Sequence, residues 1–133
     1  MKKVITFGSF DVFHVGHLRI LKRAREFGDY LLVGVSSDSL HFSKKKRDPF
    51  YSHSERIEII SALSCVDKVF LEESLELKRQ YIIKYNADIL IMGDDWAGKF
   101  DKFGDICQVI YLPRTPAIST TAVIEKIRMP LTE

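Results

Sequence analysis

Two histidines with three-residue spacing lie in the segment GSFDVFHVGH, residues 8–17, which follows a short apolar β-branched run. Glycine at the end of a strand lets backbone N–H groups approach a phosphate, and the start of a following helix favours an anion. There, His14 and His17 can donate hydrogen bonds to triphosphate oxygens and to charge that develops in a transition state. Metal binding is the alternative, but no neighbouring cysteine, third histidine or HExxH pattern supports it.

Polar residues also follow two later apolar runs. In MGDDW, residues 92–96, the carboxylates can recognise an exocyclic amino group of a base or hold a divalent cation. The alternative is a solvated turn in which Trp96 fills the core. In RTPAISTT, residues 114–121, an arginine, several hydroxyls and the N–H groups of a helix start indicate a second phosphate site, although an ordinary Ser/Thr N-cap has the same composition.

A run of four cations, Lys44–Arg47, lies between the second predicted strand and the second predicted helix. Such a run is often a solvated loop, and a nuclear-localisation signal is another interpretation. Because two candidate phosphate sites accompany it, we interpret the run as a mobile loop that neutralises the phosphates of a substrate. Lys44 and Lys46 are the residues we expect to act in this way.

Short apolar runs alternate with helical patterns along the chain. The runs are apolar throughout, as expected for strands covered by helices on both faces, and they are Lys3–Phe7, Tyr30–Ser36, Val66–Leu71, Ile89–Met92 and Gln108–Leu112. Helices are predicted over residues 16–27, from the capping box at Ser52 to about Leu63, over Leu75–Tyr85, and from Ser119-Thr120-Thr121 to about Arg128.

This alternation predicts one α/β domain over residues 1–133, a Rossmann-like three-layer domain with a five-stranded parallel sheet. Ligands of such sheets bind at the carboxyl ends of the strands, close to the point where the strand order reverses. The polar segments described above all follow predicted strands. We therefore expect them to meet at one edge of the sheet.

Bulk composition narrows the class of protein. With 20 basic and 18 acidic residues among 133, the net charge of +2 is too balanced to indicate nucleic acid or a membrane surface as a partner. The two cysteines, Cys65 and Cys107, form no disulfide framework, which favours a reducing compartment. Neither a signal peptide nor an apolar run of about 20 residues is found. The expected location is the cytoplasm.

Three segments carry a family resemblance: GSFDVFHVGH (8–17), MGDDWAGKFD (92–101) and YLPRTPAISTT (111–121). They resemble the HxGH nucleotidyltransferase superfamily and, within it, the small bacterial glycerol-3-phosphate cytidylyltransferases, over essentially the whole chain. The resemblance implies that CTP and sn-glycerol 3-phosphate give CDP-glycerol and pyrophosphate, with Mg²⁺ bound to the triphosphate rather than to a side-chain cluster. It also implies a homodimer and a role in teichoic acid or capsule synthesis.

On this basis we expect specific roles for the polar residues of the motifs. The expected catalytic residues are His14, His17, Lys44, Lys46 and Arg114. The expected nucleotide-binding residues are Gly8, Ser9, Phe10, Asp11, His14, His17, Asp94, Arg114, Thr115, Ser119 and Thr120, with Asp94 recognising cytosine. The expected acceptor-binding residues are Lys44, Lys46, Asp11 and Arg56.

The chain departs from its apparent relatives at three places. Ser9 replaces a usual threonine, the basic run is one residue longer before Arg56, and Ser64 replaces a usual arginine. We expect Lys46 to compensate for that arginine at a shared anion. The alternative functions are cytidylyl transfer to phosphoethanolamine, phosphocholine or another polyol phosphate, and adenylyl transfer from ATP. A non-catalytic nucleotide sensor would be expected to lack a catalytic histidine, and both are present.

Overall fold

Five parallel strands form the central sheet in the order β3-β2-β1-β4-β5. The computed structural model describes residues 1–114 and 118–130. The five predicted strands are all present, with ends within two residues of the predicted ones: β1 Lys3–Gly8, β2 Tyr30–Ser36, β3 Lys68–Glu72, β4 Ile89–Gly93 and β5 Gln108–Leu112. The strand order reverses at β1, since β2 lies on one side of it and β4 on the other.

Successive residues of the inner strands belong to two different cores. Val4 packs in one cluster of buried side chains and Ile5 in the other. The first cluster includes Leu21 of the first helix, and the second includes Ile82 of the fourth. Both faces of the sheet are therefore covered, which explains why the strands read as continuous apolar runs. The predicted Rossmann-like three-layer fold is confirmed.

Five helices connect and cover the strands: α1 Val15–Arg25, α2 Asp38–Lys45, α3 His53–Ser61, α4 Lys78–Lys84 and α5 Thr120–Arg128. The predicted capping box of α3 is present, because Ser52 and Glu55 exchange side-chain and backbone hydrogen bonds. The predicted third helix begins with a 3-10 turn at Leu75–Leu77 and becomes α-helical only at Lys78. Further 3-10 turns cover Asp94–Trp96 and Asp101–Asp105.

Helix α2 is a correction, since the basic run was predicted to be a loop. The Ser37 hydroxyl caps this helix by accepting a hydrogen bond from Leu40 N at 3.1 Å. Lys44 and Lys45 form its last turn, where cations interact favourably with the helix dipole. The helix ends at Lys46, which has a left-handed backbone with a φ of 60°. Part of the basic run is therefore held in a fixed orientation.

The structure also corrects the expectation for Ser64. This residue is exposed in the turn between α3 and β3. Three residues later, Asp67 N donates to Leu31 O at 3.0 Å, and Asp67 Oδ2 accepts from Leu31 N at 2.8 Å. Because Leu31 lies at the beginning of β2, Ser64 is near the amino ends of the strands, whereas the basic run follows the carboxyl end of β2. The expectation that Lys46 and an arginine at position 64 would share one anion within a chain is wrong.

None of the helices in residues 1–114 and 118–130 has the length and apolar character needed to cross a membrane.

Candidate active site

A cavity of about 370 Å³ opens at the carboxyl ends of β1 and β4. Gly8 and Ser9 line it after β1, and Gly93 and Asp95 line it after β4. This is the position expected for a ligand site in a sheet of this topology. The predicted site residues that line the cavity are Gly8, Ser9, Phe10, Asp11, His14, His17, Lys44, Arg114, Ser119 and Thr120.

The loop between β1 and α1 is held in a conformation that its residues do not favour. Phe10 and Val12 have left-handed φ values of 54° and 49°, which are unusual for an aromatic and a β-branched residue. Strain of this kind costs about 1–3 kcal/mol per residue. Between them, the Asp11 carboxylate accepts hydrogen bonds from Phe50 N at 2.7 Å and Tyr51 N at 3.0 Å. These bonds tie the loop to the segment before α3.

Arg56 stabilises the same loop through hydrogen bonds of its buried guanidinium group. Its side chain is 0% exposed, and Nη1 donates to Ser9 O at 2.8 Å. Nε donates to Tyr51 O at 3.0 Å, and Nη2 donates to Asp38 Oδ1 at 2.9 Å. All three nitrogens thus contact protein, and Arg56 does not line the cavity. Arg56 was predicted to bind the acceptor, but in the structure it holds the β1–α1 loop in position.

The two histidines form the N-terminal cap of α1. His14 Nδ1 accepts a hydrogen bond from Gly16 N at 3.0 Å, and His17 Nδ1 accepts one from His14 N at 3.2 Å. A neutral imidazole that accepts at Nδ1 carries its proton at Nε2. The two rings stack with 3.8 Å between centroids. This arrangement turns each histidine into an Nε2–H donor of fixed orientation.

Both imidazoles are held in the neutral form. Burial and, to a smaller extent, the neighbouring His14 lower the pKa of His17 to about 3, against the opposing charge of Asp11. Burial also lowers the pKa of His14, with a second contribution from the Arg114 guanidinium. His14 Nε2 and Ser9 Oγ are buried, and within the described chain neither has a hydrogen-bond partner. Two polar groups beside the cavity are thus free to bind a ligand.

Gly16 provides space for this pair. A Cβ at Gly16 would lie 2.8 Å from His14 Cε1, 2.9 Å from His14 Nδ1 and 2.9 Å from Ile118 Cγ2. Gly16 itself is the second residue of α1. The lack of a side chain at Gly16 therefore leaves room for the His14 ring.

Lys44 is connected to a buried ion pair that the sequence did not indicate. Its Nζ donates to Ser36 Oγ at 2.8 Å, and Ser36 Oγ donates to Glu72 Oε1 at 3.5 Å. The other oxygen of Glu72 accepts from Lys78 Nζ at 2.6 Å, and both side chains of this pair are buried. Burial lowers the pKa of Lys44 to about 8, although the Glu72 carboxylate opposes the shift.

In the basic run and in the segment after β4, the structure shows which of several adjacent polar residues line the cavity. Lys45 and Arg47 line the cavity together with Lys44, whereas the exposed Lys46 does not. After β4, Asp95 and Trp96 line the cavity and Asp94, the predicted cytosine contact, does not. Sequence spacing alone could not make these distinctions, because adjacent residues of a helix end or a 3-10 turn point in different directions.

The start of α5 forms the remaining wall. The Ser119 hydroxyl caps the helix by accepting from Ala122 N at 3.0 Å, which is the N-cap role given above as the alternative to a phosphate site. The Thr120 hydroxyl donates to Asp11 O at 3.1 Å, which joins α5 to the β1–α1 loop. Thr115, a predicted nucleotide contact, lies outside the described residues. Among residues 1–114 and 118–130, no group of three or more His, Cys, Asp or Glu side chains could hold a metal ion.

Comparisons with known proteins show what this chain is similar to. The family model described as cytidylyltransferase-like matches residues 5–126. The chain is 48% identical over 127 residues to the glycerol-3-phosphate cytidylyltransferase of Bacillus subtilis (strain 168), covering 96% of this chain and 98% of the relative. The enzyme of the same name from Bacillus spizizenii (strain ATCC 23059 / NRRL B-14472 / W23) is 46% identical over 123 residues, covering 92% and 95%.

A solved structure shares the fold as well. The lipopolysaccharide core biosynthesis protein from Thermoplasma volcanium GSS1 superposes with a TM-score of 0.74 at 26% sequence identity. The match covers 86% of this chain and 98% of that one.

Proposed function

The chain belongs to the cytidylyltransferase-like family, and we propose that it transfers the cytidylyl group of CTP to sn-glycerol 3-phosphate, releasing pyrophosphate. The observation that carries the proposal is the cavity wall formed by His14 and His17. There, two neutral imidazoles present Nε2–H donors at the start of a helix, beside the unpartnered Ser9 hydroxyl. Donors of this kind suit the phosphate chain of a nucleotide.

The reaction needs positioning more than proton transfer. A phosphate oxygen of the acceptor, already anionic at neutral pH, attacks the α-phosphorus of CTP. The bond between the α-phosphorus and the oxygen that bridges it to the β-phosphorus breaks, and that oxygen leaves with pyrophosphate. Charge that develops on these oxygens is stabilised by donors already oriented toward them. His14 and His17 are our candidates for this role, and Arg114 adds a cation at the same wall.

We assign the base, the ribose and the phosphates of the nucleotide to different parts of the cavity. Asp95 and Trp96 follow β4, and we place the cytosine base on that side. Arg114, Ser119 and Thr120 would bind the ribose and phosphates, with Thr115 beside them in the sequence. The acceptor phosphate would then lie toward α2, where Lys44 and Arg47 provide positive charge.

We also propose that Mg²⁺ binds with the triphosphate. Most polar side chains of the cavity are hydrogen-bond donors or cations, which complement phosphate oxygens, and the Asp11 carboxylate is occupied by two backbone N–H groups. Asp95 is our candidate for a carboxylate that would reach the ion. When bound, the ion neutralises charge on the phosphates. A homodimer is a further proposal, which sedimentation equilibrium would test.

The decisive experiment measures pyrophosphate release over a grid of nucleoside triphosphates and phosphorylated acceptors. We expect CTP to exceed ATP by at least about a hundredfold in kcat/KM with sn-glycerol 3-phosphate, because a wrong base leaves buried polar groups unpaired. Equal use of ATP and CTP would overturn the cytidylyl assignment. Faster release with phosphoethanolamine or phosphocholine than with glycerol 3-phosphate would assign another acceptor.

A further inference from the structure

His41 is a buried polar side chain for which the mechanism described above has no role. It lies in α2, its side chain is 2% exposed, and its ring lines the cavity. Neither Nδ1 nor Nε2 has a hydrogen-bond partner in the part of the chain that the structure describes. A buried polar group left unpaired destabilises the fold, so an imidazole with two such atoms requires an explanation.

The polar neighbours of His41 are already engaged. Asp11 accepts from two backbone N–H groups, and Arg56 donates through all three of its nitrogens. Lys44 donates to Ser36 Oγ. These bonds hold the loop and the helix around His41 without involving its ring. Among these four side chains, His41 is therefore the one whose polar atoms have no partner among the described residues.

The charge state of His41 limits what it can bind. Burial lowers the pKa of its imidazole, and nearby cations lower it further, whereas the Asp11 carboxylate opposes them. These cations are Arg56, Lys44 and Arg47. A neutral imidazole offers one donor and one acceptor. A hydroxyl group can pair with either nitrogen, as donor to one or as acceptor from the other, whereas a phosphate oxygen can pair only with the N–H.

The position of α2 indicates which substrate carries that hydroxyl. The helix follows β2, on the side of β1 opposite to β4. Asp95 and Trp96 follow β4 at the other end of the cavity, where we place the base. A nucleotide that extends from β4 across the histidines leaves the α2 end of the cavity for the acceptor. There, Lys44, Lys45 and Arg47 can bind the acceptor phosphate, which leaves its alcohol portion to be recognised.

We propose that His41 binds a hydroxyl group of the phosphorylated polyol acceptor and so selects acceptors that carry an alcohol beside the phosphate. The inference rests on the proposed function, since it assumes transfer to a polyol phosphate. A site that hydrogen-bonds a substrate hydroxyl discriminates strongly against an analogue without it, because the protein groups are then left unpaired.

The test is a cycle of two enzymes and two acceptors. The enzymes are the wild type and His41→Phe, which keeps a ring of similar size without polar atoms. The acceptors are sn-glycerol 3-phosphate and n-propyl phosphate, which has the same carbon chain without hydroxyls. We expect His41→Phe to lower kcat/KM for glycerol 3-phosphate at least about tenfold and that for propyl phosphate by less than about threefold, with KM for CTP nearly unchanged.

Other outcomes have distinct meanings. An equal loss with both acceptors, or a rise confined to the KM for CTP, would overturn the proposal in favour of a packing role or a nucleotide contact. Failure of the wild type to use glycerol 3-phosphate would instead refute the proposed function. The matched control is His53→Asn, because His53 is not among the described residues that line the cavity. Its acceptor preference should equal that of the wild type.

A measurement on the wild type keeps the test valid if His41→Phe does not fold. With only four histidines in the chain, the imidazole ¹⁵N resonances can be assigned individually. In the presence of a non-hydrolysable CTP analogue, glycerol 3-phosphate should shift the His41 ring nitrogens and slow exchange of the ring N–H, whereas propyl phosphate should not. Identical spectra with the two acceptors would overturn the proposal.

Discussion

Two of the walls of the cavity hold their hydrogen-bond donors in different ways. The histidine wall consists of His14 and His17, whose Nδ1 atoms accept backbone N–H groups of their own helix cap. The α2 wall consists of the basic residues at the end of α2 that line the cavity, Lys44, Lys45 and Arg47. Lys44 donates to the Ser36 hydroxyl, which donates to the buried Glu72 carboxylate. The first wall is neutral and held by the backbone, and the second is cationic and held by side chains.

This difference separates two tasks. A neutral donor that cannot rotate without opening the cap of α1 stabilises charge at one place, as a transition state requires. A lysine is a flexible point charge that can attract a phosphate from several positions. The Ser36–Glu72–Lys78 chain restrains Lys44 through one hydrogen bond, which a phosphate oxygen can replace. The histidine wall should therefore control turnover, whereas the α2 wall should mainly control substrate affinity.

The largest expected effect comes from removing a donor of the histidine wall. His14→Asn keeps a side chain that can cap α1 but lacks the Nε2–H group. We expect kcat to fall by about 10²- to 10³-fold, since loss of one oriented donor to a transition-state oxygen costs about 2.7–4 kcal/mol. Steady-state pyrophosphate release measures kcat, and thermal unfolding verifies the fold. His17→Ala should lower kcat similarly, and normal turnover in either variant would remove that histidine from the mechanism.

Displacing a histidine without removing it should have a smaller effect. Gly16→Ala places a Cβ within 2.9 Å of the His14 ring and of Ile118 Cγ2, so the ring must move. A displacement of about 1 Å can cost up to about 100-fold, and we expect kcat to fall about 10- to 100-fold. Alanine favours a helix more than glycine does, so the melting temperature should change little. Unchanged kcat would show that the position of His14 tolerates movement.

The two walls should also respond differently to pH. Lys44 has a lowered pKa of about 8, so its charge is present below that pH and is lost as the pH rises through it. We expect kcat/KM for glycerol 3-phosphate, whose phosphate we place beside Lys44, to fall about tenfold per pH unit above about 8. The histidines, whose pKa values are lowered from the usual value of about 6.5, are neutral above about pH 7 and should cause no fall there.

Lys44→Arg tests the assignment of this pH dependence, because a guanidinium remains charged throughout the range. In that variant, the decrease in kcat/KM should begin only at a higher pH. Lys22→Arg, a change on the exposed surface of α1, is the matched control and should keep the wild-type profile. A pH profile that is the same in Lys44→Arg and the wild type would assign the fall to another group.

Much of this arrangement could be predicted from sequence because it depends on local patterns. Continuous apolar runs identified the strands, since both faces of the sheet are buried. The sequence pattern of a strand, a glycine-containing loop and a helix start correctly predicted that His14 and His17 lie at the beginning of α1. The Ser52 capping box was also predictable, because its two partners are three residues apart.

The missed features depend on tertiary contacts. In α2 only Leu40 and His41 are buried, too few for a recognisable helical periodicity. The Glu72–Lys78 pair forms where the end of β3 meets α4, and nothing in its spacing distinguishes it from surface charges. His41 gives no motif at all. We could identify it as a candidate binding residue only from its burial and its unpaired nitrogens, which are properties of the folded chain.

The smallest expected effect concerns two lysines of the basic run for which the sequence predicted the same role. Lys44 is partly buried and lines the cavity, whereas Lys46 is exposed, follows the helix in a left-handed conformation and does not line it. An exposed charge is screened by water and salt, so its attraction for a phosphate is weak. We expect Lys44→Ala to raise KM for a phosphorylated substrate at least about tenfold, equivalent to about 1.4 kcal/mol.

Lys46→Ala should raise the same KM by less than about threefold, and added salt should remove even that difference. The measurement is a comparison of KM for CTP and for glycerol 3-phosphate in both variants at low and high ionic strength. Equal increases for the two lysines, persisting at high salt, would show that Lys46 reaches a phosphate directly. The α2 wall would then have to rearrange when substrate binds, because in the present conformation Lys46 does not line the cavity.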